Sequence, residues 1–275
     1  MSSSPASTSA ANRPVALPLH GRYLQPMPAV LSQRTYLRLH LWQPLSAFAL
    51  LSWLSMGLGG DRWLADQLFA MQDHAWTLQS SPFLQEVLHA GGRAASKLAW
   101  YAVLLLWLLS LGVNGMRALR VPLAYLLVST LLATALVGWM KRWTHMDCPW
   151  DLLRYGGDKA YYGLFARLPA GVRAGSCFPA GHASAGYAWV ALYFFFERTW
   201  PALRRWGLGF GLAAGMTFGL AQQLRGAHFF SHDLWALAIS WLVALALHRL
   251  MPGTYDETRA RRTSVECVTT AKDLA

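Results

Sequence analysis

Charged residues are scarce in this sequence. Only 13% of the 275 residues are Asp, Glu, Lys or Arg, against about 25% in ordinary soluble domains. Hydrophobic residues make up 55% of the chain, and 14 residues are tryptophan, which is enriched where a bilayer meets water. The composition therefore excludes a typical soluble domain and predicts a polytopic integral membrane protein.

The sequence also lacks the features of three other classes. The net charge is +11, but the basic residues occur in short segments between apolar runs and not in one block, so we expect no nucleic-acid binding. Residues 1–35 contain no compact apolar core followed by a small-residue cleavage site, so no removable signal peptide is expected. No predicted span has a buried ionisable residue near its middle, which disfavours an ion-coupled transporter.

Apolar segments predict six transmembrane helices, because each approaches the roughly 20 residues that a helix needs to cross hydrocarbon. They cover residues 41–59, 98–114, 119–140, 182–200, 206–224 and 233–251. Between the first two, residues 60–97 mix aromatic, apolar and polar side chains and predict an interfacial amphipathic helix. We therefore predict an all-α, six-helix membrane domain over residues 39–251, with flexible cytoplasmic arms at 1–38 and 252–275.

The distribution of basic residues predicts the orientation. With six spans and the N-terminus inside, most of the 24 Lys and Arg residues fall in the cytoplasmic segments, as the positive-inside rule requires. Both termini are then cytoplasmic. Three polar stretches, which begin at Lys141, Phe178 and Arg225, all emerge on the opposite face of the membrane.

The residues of these stretches suit phosphoryl transfer, which needs cationic groups around the phosphate oxygens, a nucleophile and an acid. Lys141 and Arg225 are cationic, and Gly181-His182 opens an apolar segment where free backbone N–H groups attract anions. Histidine titrates near neutral pH and can serve as nucleophile or acid. The sequence therefore favours a site for an anionic head group at the membrane surface.

The same stretches resemble the three motifs of the type 2 phosphatidic acid phosphatase (PAP2) superfamily. Those motifs are Lys-x6-Arg-Pro, Pro-Ser-Gly-His and Arg-x5-His-x3-Asp, and they match the stretches beginning at Lys141, at Pro179 and at Gln222. The resemblance covers about residues 98–250. It implies six spans and a phosphatase mechanism without metal or cofactor.

The first two motifs each depart from the family at one position. Cys148 stands in place of the first-motif Arg, and either Arg142 or Arg154 could supply the missing charge. Ala180 stands in place of the second-motif Ser. Two nearby hydroxyl residues could substitute for it, Ser176 and Ser184.

The third motif departs most. Gln222 takes the place of the family Arg, and Arg225 lies one turn further on. Aligned on Gly-x-His, His228 becomes the nucleophile, His232 takes the Asp position and Asp233 falls one place late. A second alignment makes His232 the nucleophile.

The mechanism that the resemblance implies is covalent. His228 attacks phosphorus to form a phosphohistidine, His182 protonates the leaving group, and His232 or Asp233 holds the His228 tautomer. The expected activity is hydrolysis of a phosphate mono- or diphosphate ester of an isoprenoid, a glycerolipid or lipid A, with the active site facing the periplasm from a bacterial inner membrane. A phosphotransferase with the same intermediate and a non-catalytic lipid-binding member are the alternatives.

Cysteine and the other histidines leave two alternatives open. Cys148 and Cys177 share an outer loop and form either a disulfide or two free thiols. His228 and His232 have the spacing of zinc ligands, which His145, Asp147 and Cys148 could complete, although Phe229 stands where a metalloprotease has its Glu. The histidines outside the motifs are interpreted as interfacial, without partners: His20, His40, His74, His89 and His248.

Overall fold

The computed structural model describes residues 32–251. The predicted tail 252–275 and most of the predicted arm 1–38 lie outside the described residues. The part of that arm that is described is helical from Gln33 onward.

The described chain folds into seven helices of two turns or more and forms no strand, which confirms the all-α class. They are α1 (33–57), α2 (Gly60–Ala70), α3 (Phe83–Gly112), α4 (Asn114–Met140), α5 (181–199), α6 (Arg204–Leu224) and α7 (Phe230–Leu250). Helix α1 contains two wide π turns, and α3 begins with another.

Three helices of the described chain are long and apolar enough to cross a membrane, namely α3, α4 and α7. Helices α1, α5 and α6 occupy the other three predicted segments. Helix α6 is less apolar because glycine, alanine and glutamine replace larger apolar residues along it. The structure therefore gives a membrane-associated helical protein with three candidate spans.

The prediction of one interfacial helix over residues 60–97 is wrong. Helix α2 ends at Ala70, and the chain then turns through Asp73 and His74, both of which have a φ of 55°. A new helix starts after Pro82, which suits a helix start because its ring fixes φ and it needs no backbone donor. Residues 83–97 therefore extend the second predicted span.

Glycines hold α5 and α6 close together. Gly207, Gly211, Gly215 and Gly219 recur every four residues of α6 and are buried. A Cβ atom at Gly211 would lie 2.4 Å from the backbone nitrogen of Val190, so α6 approaches the backbone of α5. The two helices are antiparallel because a short turn joins them. The start of α5 therefore lies beside the end of α6.

The ends of five helices meet at one end of the bundle. The backbone N–H of Ala180 donates to the His232 carbonyl at 3.0 Å, which ties the start of α5 to the first turn of α7. Lys141, which follows α4, lies beside Gly181. The side chain of Gln85, near the start of α3, contacts Arg225 at the end of α6. The three polar stretches of the sequence therefore converge.

Candidate active site

Two buried histidines form the centre of the site. His228 lies in the short loop before α7 and His232 in the first turn of that helix, and they are 7% and 0% exposed. Their Nδ1 atoms are 3.2 Å apart, within hydrogen-bond distance. Burial lowers the pKa of His228 well below its ordinary value. The nearby His232, Lys141 and His182 lower this pKa further, and a hydrogen bond with the backbone of Cys177 acts in the opposite direction. His228 is therefore neutral at neutral pH.

Lys141 brings a largely buried positive charge to the histidines. Its side chain passes over Gly181, where an added Cβ atom would lie 3.7 Å from Nζ. The ammonium interacts electrostatically with His182, His228 and His232, and burial lowers its pKa. Within the described chain it forms no ion pair with a carboxylate. A buried cation without a counter-charge favours an anionic ligand.

His182 lies in the first turn of α5 with a free ring nitrogen. Its ring stacks on that of His89 from α3, with centroids 3.5 Å apart and planes inclined by 21°. The buried Nε2 atom has no hydrogen-bond partner among residues 32–251. No side chain of the described chain caps the helix start at Ala180, so backbone N–H groups of the first turn also remain available to an anion.

Arg225 reaches the site from the end of α6 and is 7% exposed. Its Nε donates to the Gln79 carbonyl at 2.9 Å, and its terminal nitrogens lie 3.4 Å from the side-chain oxygens of Gln222 and Gln85. The guanidinium also lies over the ring of Trp150, 5.9 Å from its centroid. These contacts fix Arg225 in place without neutralising its charge.

Asp233 does not orient either histidine. Its carboxylate accepts a hydrogen bond from Nε2 of Gln223 and lies against Gly219 of α6, where an added Cβ atom would be 2.4 Å from Oδ2. Among the described residues, His232 is the one side chain that hydrogen-bonds a ring nitrogen of His228. The structure therefore gives His232 the position from which it can hold the His228 tautomer.

Neither arginine predicted to replace the first-motif charge is drawn into the site. Arg154 is 58% exposed at its side chain and makes two hydrogen bonds, of 2.7 Å and 2.6 Å, to the Asp66 carboxylate. This pairing holds the pKa of Asp66 below its usual value. Arg142 is exposed. The charge at the missing position has no replacement from these two side chains.

Cys148 and Cys177 are joined by a disulfide, with Cα atoms 5.3 Å apart. The bridge closes the loop between α4 and α5. Because the Cys148 sulfur is bonded to Cys177, it is not free to complete the zinc site that the sequence left open. Asp147, another member of that set, pairs with Lys159.

The sequence interpretation missed a polar stripe on α3. Its members recur every four residues and are Gln85, His89 and Arg93. Gln85 contacts Arg225, and His89 stacks on His182. Arg93 interacts with His182 electrostatically. The interpretation of His89 as a residue without a partner is therefore wrong. His40 and His248 are also buried and have partners. Nε2 of His40 lies 2.9 Å from the Tyr193 hydroxyl, and Nε2 of His248 lies 3.5 Å from the Glu197 carboxylate.

Fold and site together define a membrane-associated helical protein with a histidine cluster suited to an anion. The family model of the PAP2 superfamily, whose members are generally phosphatases, matches residues 122–256, so this part of the chain is similar to that superfamily. The matched segment contains Lys141, His182, Arg225 and His228. Comparison with curated proteins and with solved structures gave no significant match.

Proposed function

We propose that the protein is a membrane lipid phosphatase that works through a phosphohistidine on His228. The observation that carries this proposal is the largely buried Lys141 ammonium beside His182 and His228, which forms no ion pair with a carboxylate of the described chain. A phosphate group would supply the missing negative charge. The family match supports activity on phosphate esters, and the histidines supply the groups that such chemistry needs.

The first step transfers the phosphoryl group to the protein. Nε2 of His228 attacks phosphorus while the bond from phosphorus to the leaving oxygen breaks, and His182 gives that oxygen a proton. A proton on Nδ1 of His228, donated in a hydrogen bond to Nδ1 of His232, leaves Nε2 with the lone pair that attacks. Lys141, Arg225 and the N–H groups at Gly181 stabilise the charge on the phosphoryl oxygens.

The second step releases phosphate. His182 takes a proton from water, the water oxygen bonds to phosphorus, and the bond from phosphorus to Nε2 of His228 breaks. Inorganic phosphate leaves, and both histidines return to their starting protonation states. The balance needs no other reactant.

His228 suits the role of nucleophile better than His232. His228 interacts electrostatically with both Lys141 and His182, so it is near the cation as well as the acid. His232 is fully buried, with Phe178 and Phe229 packed edge-on against its ring at 5.3 Å and 5.5 Å. This leaves His232 to position its neighbour.

Placement at helix ends supports a lipid substrate. Lys141 directly follows the candidate span α4, and His228 lies two residues before the candidate span α7. A phosphate bound between them would sit level with lipid head groups. We propose that all six long helices span the membrane, with both termini in the cytoplasm and the site facing the periplasm of a bacterial inner membrane, as the distribution of basic residues predicts.

The test is phosphate release by the purified full-length protein from isoprenoid, glycerolipid and lipid A phosphates. We expect release by the wild type, a decrease of about 10²- to 10⁴-fold in His182→Ala, and none above background in His228→Ala. Arg173→Gln, an exposed loop change, is the control and should match the wild type. Equal activity in all variants would overturn the proposal. Saturable lipid binding without release would favour the non-catalytic alternative, and transfer to a second lipid would favour the phosphotransferase.

A further inference from the structure

The disulfide between Cys148 and Cys177 joins two of the three polar stretches that build the site. Cys148 stands in the first stretch, seven residues after Lys141, where the first motif of the PAP2 superfamily has an arginine. Cys177 lies directly before Phe178, where the second stretch begins. The crosslink therefore holds the segment that carries Lys141 against the segment that leads into α5 and His182.

Hydrogen bonds beside the disulfide align the two segments that it joins. The backbone N–H of Cys177 donates to the Met146 carbonyl at 2.9 Å. The Thr144 hydroxyl donates to the Phe178 carbonyl, and Thr144 is buried, so this contact lies in the interior. Because Thr144 stands three residues after Lys141, the position of the Lys141 segment depends on this alignment.

Phe178 carries the alignment to the histidines. Its side chain is fully buried and packs edge-on against the His232 ring, with centroids 5.3 Å apart. The Nδ1 atom of His232 lies 3.2 Å from that of His228. Two residues after Phe178, the backbone N–H of Ala180 donates to the His232 carbonyl at 3.0 Å. A shift of the Phe178 segment would therefore displace the ring that contacts His228.

The segment that follows Cys148 reaches the third polar stretch. The backbone N–H of Trp150 donates to the Gly226 carbonyl at 2.9 Å, and the Arg225 guanidinium lies over the Trp150 ring. Gly226 stands two residues before His228 and has a φ of 72°, which glycine adopts without steric cost. The disulfide therefore stands among contacts that lead to all three stretches of the site.

The loop that the disulfide closes has little regular structure of its own. The two cysteines are 29 residues apart, and residues 156–180 between α4 and α5 form neither helix nor strand. A crosslink across such a loop removes the many open conformations in which its ends lie apart. Opening the bond would therefore widen the range of positions that Lys141 takes relative to the histidines.

We propose that the Cys148–Cys177 disulfide is a redox-sensitive positioning element of the active site. It keeps the Lys141 segment and the Phe178 ring aligned with the histidines, so that catalysis depends on the oxidised state. This proposal rests on the proposed function. A dithiol reductant opens the bond: its two thiols become a disulfide, and their two electrons and two protons leave Cys148 and Cys177 as thiols. A disulfide oxidant takes the same electrons and protons back.

The first test compares the full-length protein in nanodiscs before and after dithiothreitol, below the unfolding midpoint of both forms. Alkylation and intact mass verify that two further thiols have appeared. We expect kcat for lipid phosphate hydrolysis to fall by about tenfold to a hundredfold, because a misplacement of about 1 Å can cost that much. Reoxidation should restore kcat.

Three variants separate the bond from other effects of the reductant. The double variant Cys148→Ser/Cys177→Ser should have the low kcat and should not respond to dithiothreitol. Cys267→Ser keeps the disulfide and should respond as the wild type does. Asp66→Asn is the matched control, since it loosens the same outer loop by weakening the hydrogen bonds from Arg154. It should lower the unfolding midpoint and leave kcat almost unchanged.

Binding of inorganic phosphate distinguishes positioning from a loss of folded protein. Isothermal titration calorimetry is performed on oxidised and reduced protein with the same helical circular dichroism signal. The reduced protein should bind phosphate with a Kd about tenfold higher, as for the loss of one charged hydrogen bond. An unchanged Kd would show that the disulfide does not position the groups that bind phosphate.

The outcomes separate this proposal from the phosphatase itself. Equal kcat and equal phosphate affinity in the two redox forms would overturn the positioning role and leave the phosphatase intact. A loss of kcat in Asp66→Asn as large as in the double serine variant would also overturn it, because the loss would then follow loop stability. An oxidised wild type that releases no phosphate would overturn the phosphatase, and the two phosphate affinities would then decide the role of the disulfide.

Discussion

At the scale of single residues, the site consists of ionisable groups that the fold has removed from water. Lys141, Arg225, His228 and His232 are all largely buried, although such side chains are usually exposed. Burial disfavours the charged form of each group. For the histidines this is useful, because a nucleophile must be neutral. For the cations it is costly, and a phosphate bound as proposed would offset the cost.

The pH dependence of catalysis should show the burial of His228. Attack requires the neutral ring, and burial lowers the His228 pKa below its ordinary value of 6.5. Activity should therefore persist as the pH falls through 6.5 and disappear only below that value. The measurement is kcat/KM between pH 4 and pH 9, fitted for its acid limb. An acid limb at or above pH 6.5 would contradict the burial of the nucleophile.

Asp233 and His232 should differ in what their loss affects. Asp233→Asn weakens the hydrogen bond from Gln223 and should lower the free energy of unfolding by about 1–3 kcal/mol, with kcat changed by less than about threefold. His232→Ala removes the partner of Nδ1 of His228 and should lower kcat about a hundredfold. Unfolding midpoints and kcat for both variants test this. A larger loss of kcat in Asp233→Asn than in His232→Ala would return Asp233 to the catalytic role predicted from the sequence.

At the scale of elements, the glycines of α6 position the site. They bring α6 against α5, so that Arg225 and His182 lie near each other at adjacent helix ends. Small residues in this segment predicted close packing from the sequence. The partner helix was not predictable, because glycine spacing shows which face is small and not which neighbour covers it.

The same alanine substitution at two glycines of α6 tests the packing. Gly211→Ala places a Cβ atom against the α5 backbone and should lower stability by about 1–3 kcal/mol or more. Gly209→Ala meets no atom within 4 Å and should raise stability by about 0.5–1 kcal/mol through its better helix propensity. The measurement is the thermal unfolding midpoint in detergent. Equal midpoints for the two variants would show that α5 and α6 do not pack as described.

At the scale of the whole molecule, the sequence predicted more of the centre of the site than of its surroundings. The family motifs pointed to Lys141, His182 and His228 because those residues lie at fixed spacings beside apolar segments. They could not indicate His89, which contacts His182 from a helix some ninety residues earlier in the chain. The sequence also could not show that the Asp233 side chain is directed at Gln223 and not at His228. Asp233 stands one residue late in the third motif, and this offset does not reveal the direction of its side chain.

Membrane topology is the prediction that belongs to this scale. In a Cys267→Ser background, Ala170→Cys lies in the long loop on the site side and should react with an impermeant maleimide from outside intact cells. Asn114→Cys lies at the opposite end, at the start of α4, and should react only after permeabilisation. Both positions are exposed, so burial does not confuse the comparison. The reverse pattern of labelling would contradict the proposed orientation.

The most direct measurement of the central claim is chemical trapping of the phosphorylated protein. The full-length protein is mixed with a lipid phosphate carrying labelled phosphorus and quenched with denaturant within milliseconds to seconds. We predict a label that is stable in alkali, lost in acid and mapped to His228, and that is absent from His228→Ala. A label that survives in His228→Ala, or that maps to His232, would contradict the claim that His228 is the nucleophile of this site.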